Sequence, residues 1–293
     1  MKTFDPDFLK KLERLALHGS RLVQGGTGGN RRSKAKGSSI EFSDFREYSL
    51  GDDYRSIDWN AYARFERLFI KLYMEEREAN VTVFLDCSAS MGEGKPVKGV
   101  LAKKLAAVFA YIALSSYDRV GIAAINDKVS GQLPYFSGKQ GFSRVLAFLD
   151  ALPFEGRTSL NKSIASFNSL RGRRGISIVL SDFLAEDGYL EAFKYLKYQQ
   201  QDVIAIPILS PEELDPPLSG TLRLLDAEDR EGRPVEVEIT PNTLSLYKKA
   251  LHEYFSSLKN ACMNMEIPCI QVSSAVSMDE LIFEKLHHAG VIR

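Results

Sequence analysis

Residues 81–91 read VTVFLDCSASM: an apolar, β-branched run that stops at an aspartate, followed by serines at alternate positions. Val81 to Leu85 offers almost no polar face to water, so it reads as a strand covered on both sides, as in parallel sheets. An open parallel sheet gathers ligands in the crevice beyond the carboxyl ends of its strands. An acid and two hydroxyls at that position therefore aim oxygen atoms at something.

From residue 79 onward, strands and helices alternate. The run 81–86 leads to a helix near 97–116, where Val97, Val100, Leu101, Leu105, Val108, Phe109 and Ile112 recur at helical spacing. Arg119 to Asn126 reads as a strand, 129–136 as a short strand, and 141–152 and 159–170 as helices. The apolar run 176–180 follows, then a helix near 188–200 and a strand from Val203 to Leu209. This order predicts a doubly wound, Rossmann-like α/β domain with a mainly parallel central sheet. After Pro216-Pro217, residues 218–239 read as an inserted β-hairpin with an acidic turn, Asp226 to Gly232, between its arms. A long helix from Pro241 to about 265, a last strand over Ile267–Ser273 and a terminal helix capped by Ser277 and Glu280 complete the domain. The division expected is an N-terminal segment, 1–78, packed on an α/β domain spanning 79–293.

Composition narrows the function. Lys plus Arg number 38 and Asp plus Glu 38 in 293 residues, so no net field draws the chain to nucleic acid or an anionic membrane. The opening MKTFDPDFLKKLERL has no apolar centre of a signal peptide, and the apolar run 105–114 is far shorter than the ~20 residues that span a bilayer. A soluble, cytoplasmic protein without a membrane span is expected. Cys87, Cys262 and Cys269 are an odd number without paired spacing, which reads as reduced thiols rather than a disulfide framework or a zinc site. The glycine-rich GGTGGN at 25–30, set among Arg14, Arg21, Arg31, Arg32, Lys34 and Lys36, reads as a basic, flexible linker; no strand precedes it to make a phosphate cradle.

Two further acid and hydroxyl groups fall at the same sheet edge. Thr158 precedes a helix in FEGRTSL, and Asp182 ends the strand ISIVLSD. Asp86, Ser88, Ser90, Thr158 and Asp182 together resemble the metal-ion-dependent adhesion site of von Willebrand factor type A domains, with D-x-S-x-S at 86–90. The resemblance implies that Ser88, Ser90 and Thr158 ligate Mg²⁺ or Mn²⁺ directly or nearly so, while Asp86 and Asp182 act largely through water. Hydroxyls and carboxylates suit such a hard cation, whose octahedral shell keeps waters where the protein leaves gaps. With both acids at a distance the ion stays under-neutralised and takes a carboxylate from another protein.

Enzyme signatures are incomplete. Gly92-Glu93-Gly94-Lys95-Pro96 lacks the P-loop spacing and has proline where Ser or Thr would hold Mg²⁺. A phosphoaspartate hydrolase would want an acid at 88, and G-x-S-x-G is absent around Ser88 and Ser90. Cys87 reads as a packing residue.

The segment GSSIEFSDFREYSLGDDYRSIDWNAYARFERLFIKLYMEER, directly before the D-x-S-x-S strand, closely resembles the bacterial family called Domain of Unknown Function 58, and FLKKLERLALHGSRL agrees. That resemblance implies association with MoxR-type AAA+ ATPases, and so a non-enzymatic adaptor or co-chaperone that binds the ATPase or its client in protein assembly or maturation. The alternative is a Mg²⁺-dependent hydrolase of phosphate or ester substrates. Within the segment, Phe42, Phe45, Tyr48, Ile57, Trp59 and Tyr62 are expected to bury an aromatic patch, with Asp52, Asp53, Arg55 and Asp58 pairing or capping around the Gly51 turn.

Overall fold

A computed structural model describes residues 3–17, 40–49, 51–75, 78–170, 173–229 and 232–292. The chain forms two compact units, Thr27–Glu78 and a larger one made of Met1–Gly26 with Ala79–Arg293. Most of the basic, glycine-rich stretch lies outside the described residues. Among the described residues no helix is long and apolar enough to cross a membrane.

In the larger unit, helix α1 (Pro6–Leu17) precedes the small unit in sequence, and the alternation begins after it. The small unit holds β1 (Ile40–Glu47), α2 (Trp59–Phe65) and β2 (Phe69–Glu75), with β1 antiparallel to β2. There follow β3 (Asn80–Asp86), α3 (Lys98–Ser115), β4 (Arg119–Ile125), β5 (Val129–Phe136), α4 (Phe142–Ala151) and α5 (Leu160–Ser166). Then come β6 (Gly175–Ser181), α6 (Leu190–Tyr198), β7 (Gln201–Leu209) and α7 (Pro211–Leu214). The hairpin β8 (Gly220–Leu224) and β9 (Val235–Ile239), α8 (Pro241–Asn264) and β10 (Val272–Ser273) complete the labelled elements.

The main sheet runs β10-β7-β6-β3-β4-β5, parallel except for β5, which pairs antiparallel with β4 at the edge. Successive side chains of a strand point to opposite faces, and both faces here are covered. Val81, Val83 and Leu85 enter a core shared with α1, α3, α4 and the C-terminal helix, while Phe84 enters a second core with α5, α6 and α8. All four are sealed from water, each burial contributing about 1.5–3 kcal/mol. The doubly wound α/β fold is as expected. It places the topological switch between β3 and β6, the neighbours at the sheet's centre.

Three local differences from the expected elements are found. The last strand is only Val272–Ser273, with one isolated bridge from Ala205 to Cys269, because Pro207 of β7 has no N–H to carry the ladder between them. The helix expected over 159–170 ends at Ser166, and a 3-10 turn carries the chain through Asn168–Leu170. The terminal helix holds a π segment, Glu280–Leu286; Ser277 accepts from the Glu280 N–H as its cap was expected to do.

The small unit corrects the aromatic expectation. Trp59 and Tyr62 meet edge to face, as do Phe45 and Phe69, yet Phe45, Trp59 and Tyr62 are all exposed. A two-stranded sheet with a seven-residue helix has too little surface to enclose them. The acids do cap and pair: Asp58 accepts from the Asn60 and Ala61 N–H groups, Asp53 from Arg55, and Asp52 holds Arg46.

Candidate metal centre

Asp86 is carried to the switch point by β3 and buried completely. Its Oδ1 accepts from the Ser88 N–H at 2.9 Å. Its Oδ2 accepts from Ser181 Oγ at 2.5 Å, at the end of β6, and from Thr158 Oγ1 at 3.1 Å. The loop after β3 is laced to the 155–158 loop by backbone bonds. The Glu155 N–H donates to the Cys87 carbonyl at 2.8 Å and the Ala89 N–H to the Gly156 carbonyl at 3.0 Å. Gly156 has φ +77°, a conformation that favours glycine, and so turns the chain to present Thr158. Ser88 and Ser90 stand with their Oγ atoms 3.0 Å apart.

Four of the five residues singled out in the sequence thus form one hydrogen-bonded cluster. Asp182 is beside it but engaged elsewhere. Its Oδ1 accepts from the Leu184 N–H at 3.1 Å, and its Oδ2 takes the ammonium of Lys98 at 2.7 Å. Lys98, the first residue of α3, also reaches Glu213 Oε1 at 2.5 Å. Glu213 is held in turn by a capping box, its Oε2 accepting from the Ser210 N–H at 2.7 Å.

The electrostatics follow from this division. Burial, then the charge of Asp182, pushes the Asp86 carboxyl up to about 6, against the opposing bonds from Ser181 and Ser88. Burial alone would lower Lys98, but the carboxylates of Asp182 and Glu213 outweigh it and hold the ammonium above its ordinary value. Cys87 turns into the core, and burial, helped by Asp86, pushes its thiol up to about 12, which makes it a packing residue rather than a nucleophile.

A further carboxylate comes from the hairpin insertion. Glu228, in the turn between β8 and β9, accepts from Ser90 Oγ at 3.0 Å through Oε1 and from the Thr158 N–H at 2.8 Å through Oε2. An open cleft of about 400 Å³, lined by Ala89, Gly92, Phe154, Gly156 and Glu228 among others, lies alongside. Sequence reasoning missed Lys98, Ser181, Glu213 and Glu228. Ser181 adjoins Asp182 in the same strand end and could have been read from strand pairing; the other three are brought in from distant segments.

The donor set fits a hard divalent cation. It consists of oxygens only, with a buried carboxylate that no basic side chain among the described residues neutralises. Among the described residues no group of three or more His, Cys, Asp and Glu side chains is placed to hold a metal, so an ion here would rest on hydroxyls.

Residues 44–253 match the model of the family described as Protein of unknown function DUF58. The chain belongs to this family. Its curated relatives include an uncharacterized protein of Mycobacterium tuberculosis and one of Mycobacterium bovis, each 26% identical over 239 residues, which covers 80% of this chain and 75% of theirs. Among solved structures, the chain is similar to a conserved hypothetical protein, BatB, from Bacteroides thetaiotaomicron. The TM-score is 0.46 at 20% identity, covering 72% of this chain and 98% of that one. It is also similar to the VWA domain of SpRpn10, with a TM-score of 0.36 at 12% identity, covering 69% and 92%.

Proposed function

We propose that this chain is a metal-dependent protein-binding module, an adaptor or co-chaperone that works with a MoxR-type AAA+ ATPase or with that ATPase's client. The observation that carries the metal reading is the cluster at the switch point. There the buried, unneutralised carboxylate of Asp86 takes the Thr158 hydroxyl and the Ser88 N–H, and the Ser88 and Ser90 hydroxyls stand 3.0 Å apart on the loop that follows it. Ser88, Ser90 and Thr158 would hold Mg²⁺ or Mn²⁺, with Asp86 and Asp182 acting through water. The ion would supply a positive centre able to take a carboxylate from a partner. Lys98 sharpens that property, because it already neutralises Asp182 and leaves less negative charge facing the site. The ATPase enters from family resemblance alone.

The same geometry favours binding over turnover. A hydrolase needs a base free to activate water. Asp182 is neutralised by Lys98 and also takes the Leu184 N–H, and Asp86 already accepts from three donors. Affinity capture on the tagged chain tests the reading in Mg²⁺, in chelator, and with Thr158→Ala. Recovery of an AAA+ ATPase or its client in Mg²⁺ alone supports it. Recovery indifferent to all three conditions overturns the metal-dependent interface.

A further inference from the structure

The β8–β9 hairpin brings a carboxylate of this chain to the place where the proposed function needs one from outside. Glu228 spans the cluster, one oxygen on Ser90 Oγ at 3.0 Å and the other on the Thr158 N–H at 2.8 Å. Its partners among the described residues are a hydroxyl and an amide, with no basic side chain. Those two contacts fall on two of the three residues whose hydroxyls would hold the ion.

The tip is organised for this contact. The Glu228 N–H donates to Asp226 Oδ1 at 2.8 Å, which bends the turn back on itself. The next residue, Asp229, pairs with Arg157, adjacent to Thr158. The turn is therefore shaped by its own Asp226 and tied at the mouth of the site by Asp229.

The arms, by contrast, are lightly held. No residue of β8 or β9 belongs to either apolar core among the described residues. Leu224, Leu225 and Val235 are exposed. A segment with few buried apolar contacts opens at low free-energy cost, so the polar grip of the tip can be released without disturbing the sheet.

We infer that Glu228 is a built-in ligand mimic: the hairpin closes over the site with its own carboxylate, and an acidic partner binds only when the hairpin lifts. The inference rests on the metal reading above. It names how access to that site is controlled, and it makes the partner's acid a competitor of Glu228. Competition of this kind lowers the apparent affinity of the partner by the fraction of molecules that are open.

The test uses the full chain, its Glu228→Ala variant and its Glu228→Gln variant, with Mn²⁺ as ion and sodium acetate as the free carboxylate. Water-proton relaxation reports the exchangeable waters on bound Mn²⁺. Acetate is expected to lower the relaxivity of both variants, while leaving the natural protein unchanged at concentrations that saturate the variants. Amide exchange at Thr158 should quicken at least tenfold in Glu228→Ala. Mn²⁺ binding with the same acetate response in all three proteins overturns this inference alone, as does unchanged Thr158 exchange. Absence of Mn²⁺ binding in all three overturns the metal reading and this inference with it.

Discussion

Lys98 Nζ stands 2.7 Å from Asp182 Oδ2, and both side chains are sealed from solvent. The pair joins the start of α3 to the residue after β6, across the crevice where the sheet order reverses. A buried ion pair is stable only when the remaining donors and acceptors are satisfied. Here the Leu184 N–H also donates to Asp182, and Glu213 accepts a second hydrogen bond from the ammonium. The consequence for the site is an uneven sharing of charge: Asp182 is compensated and Asp86 is not.

Removing one partner of this pair should therefore cost more than removing both. Lys98→Met leaves a sealed carboxylate beside Asp86 and is expected to cost about 3–5 kcal/mol of stability. Lys98→Met combined with Asp182→Asn should recover a large part of that loss. Urea unfolding of the three proteins decides it, and a cost below about 1 kcal/mol for Lys98→Met would show that the pair does not persist in solution.

The parts of this arrangement differ in how far the sequence disclosed them. The continuous apolar runs ending at Asp86 and Asp182 announce central strands, and the spacing of Asp86, Ser88 and Ser90 survives because they follow one another from the strand end into the short turn after it. Thr158 is legible by its place before a helix. Lys98 was hidden in a helix whose apolar spacing implied one buried stripe. The structure buries α3 nearly all round, Lys98 and Lys103 included, because it is sandwiched by α1, α4 and the sheet. Glu228 lies 138 positions from Ser90, and only tertiary folding makes them neighbours. The exposed rings of the small unit show the opposite limit, since aromatic content signals burial only where a second layer exists to cover it.

Gly175 is a test of the sheet that does not touch the site. It opens β6 opposite Asn80 of β3, and a Cβ built there would lie 2.1 Å from the Asn80 carbonyl oxygen. Backbone cannot step aside as a flexible side chain can. Gly175→Ala is expected to lower stability by about 1–3 kcal/mol through overpacking, while Mn²⁺ affinity measured by calorimetry stays unchanged.

Thr82 is fully buried on β3, and its hydroxyl meets the Tyr135 hydroxyl of β5 at 2.5 Å. Tyr135→Phe strands that hydroxyl and should cost about 1–3 kcal/mol at neutral pH. Burial raises the Tyr135 phenol above its ordinary value of 10.0, while Thr82, Arg173 and Arg119 pull it back. The stability tied to the neutral phenol is complete below pH about 10 and is lost as pH rises through the folded value. The difference between the natural protein and Tyr135→Phe should therefore narrow above pH about 10. Unfolding midpoints measured at pH 8 through 11 check this, and a constant difference would show that the phenol is not buried.

Asp86→Asn separates the cost of the site from its use. The metal-free protein must bury the Asp86 charge close to Asp182, which is why its carboxyl is pushed up to about 6 from 3.8. The contribution of this group to the metal-free fold is full below pH about 4 and is lost as pH rises through about 6. At pH 7.5, then, the charge is carried at a loss, and asparagine keeps the shape while removing it. In chelator, Asp86→Asn is expected to be as stable as the natural protein or more stable, by on the order of 2 kcal/mol, with the difference shrinking toward pH 4. With Mg²⁺ the order should reverse. An ion that binds only the folded chain stabilises it by about 2.7 kcal/mol at one hundred times its Kd, and the variant forgoes that gain. Thermal unfolding with and without Mg²⁺ at pH 5 and 7.5 measures both effects. Equal stabilisation of the two proteins by Mg²⁺ would put the ion somewhere other than Asp86. A large loss of stability for Asp86→Asn in chelator would instead make the aspartate a structural anchor for the 88 and 158 loops.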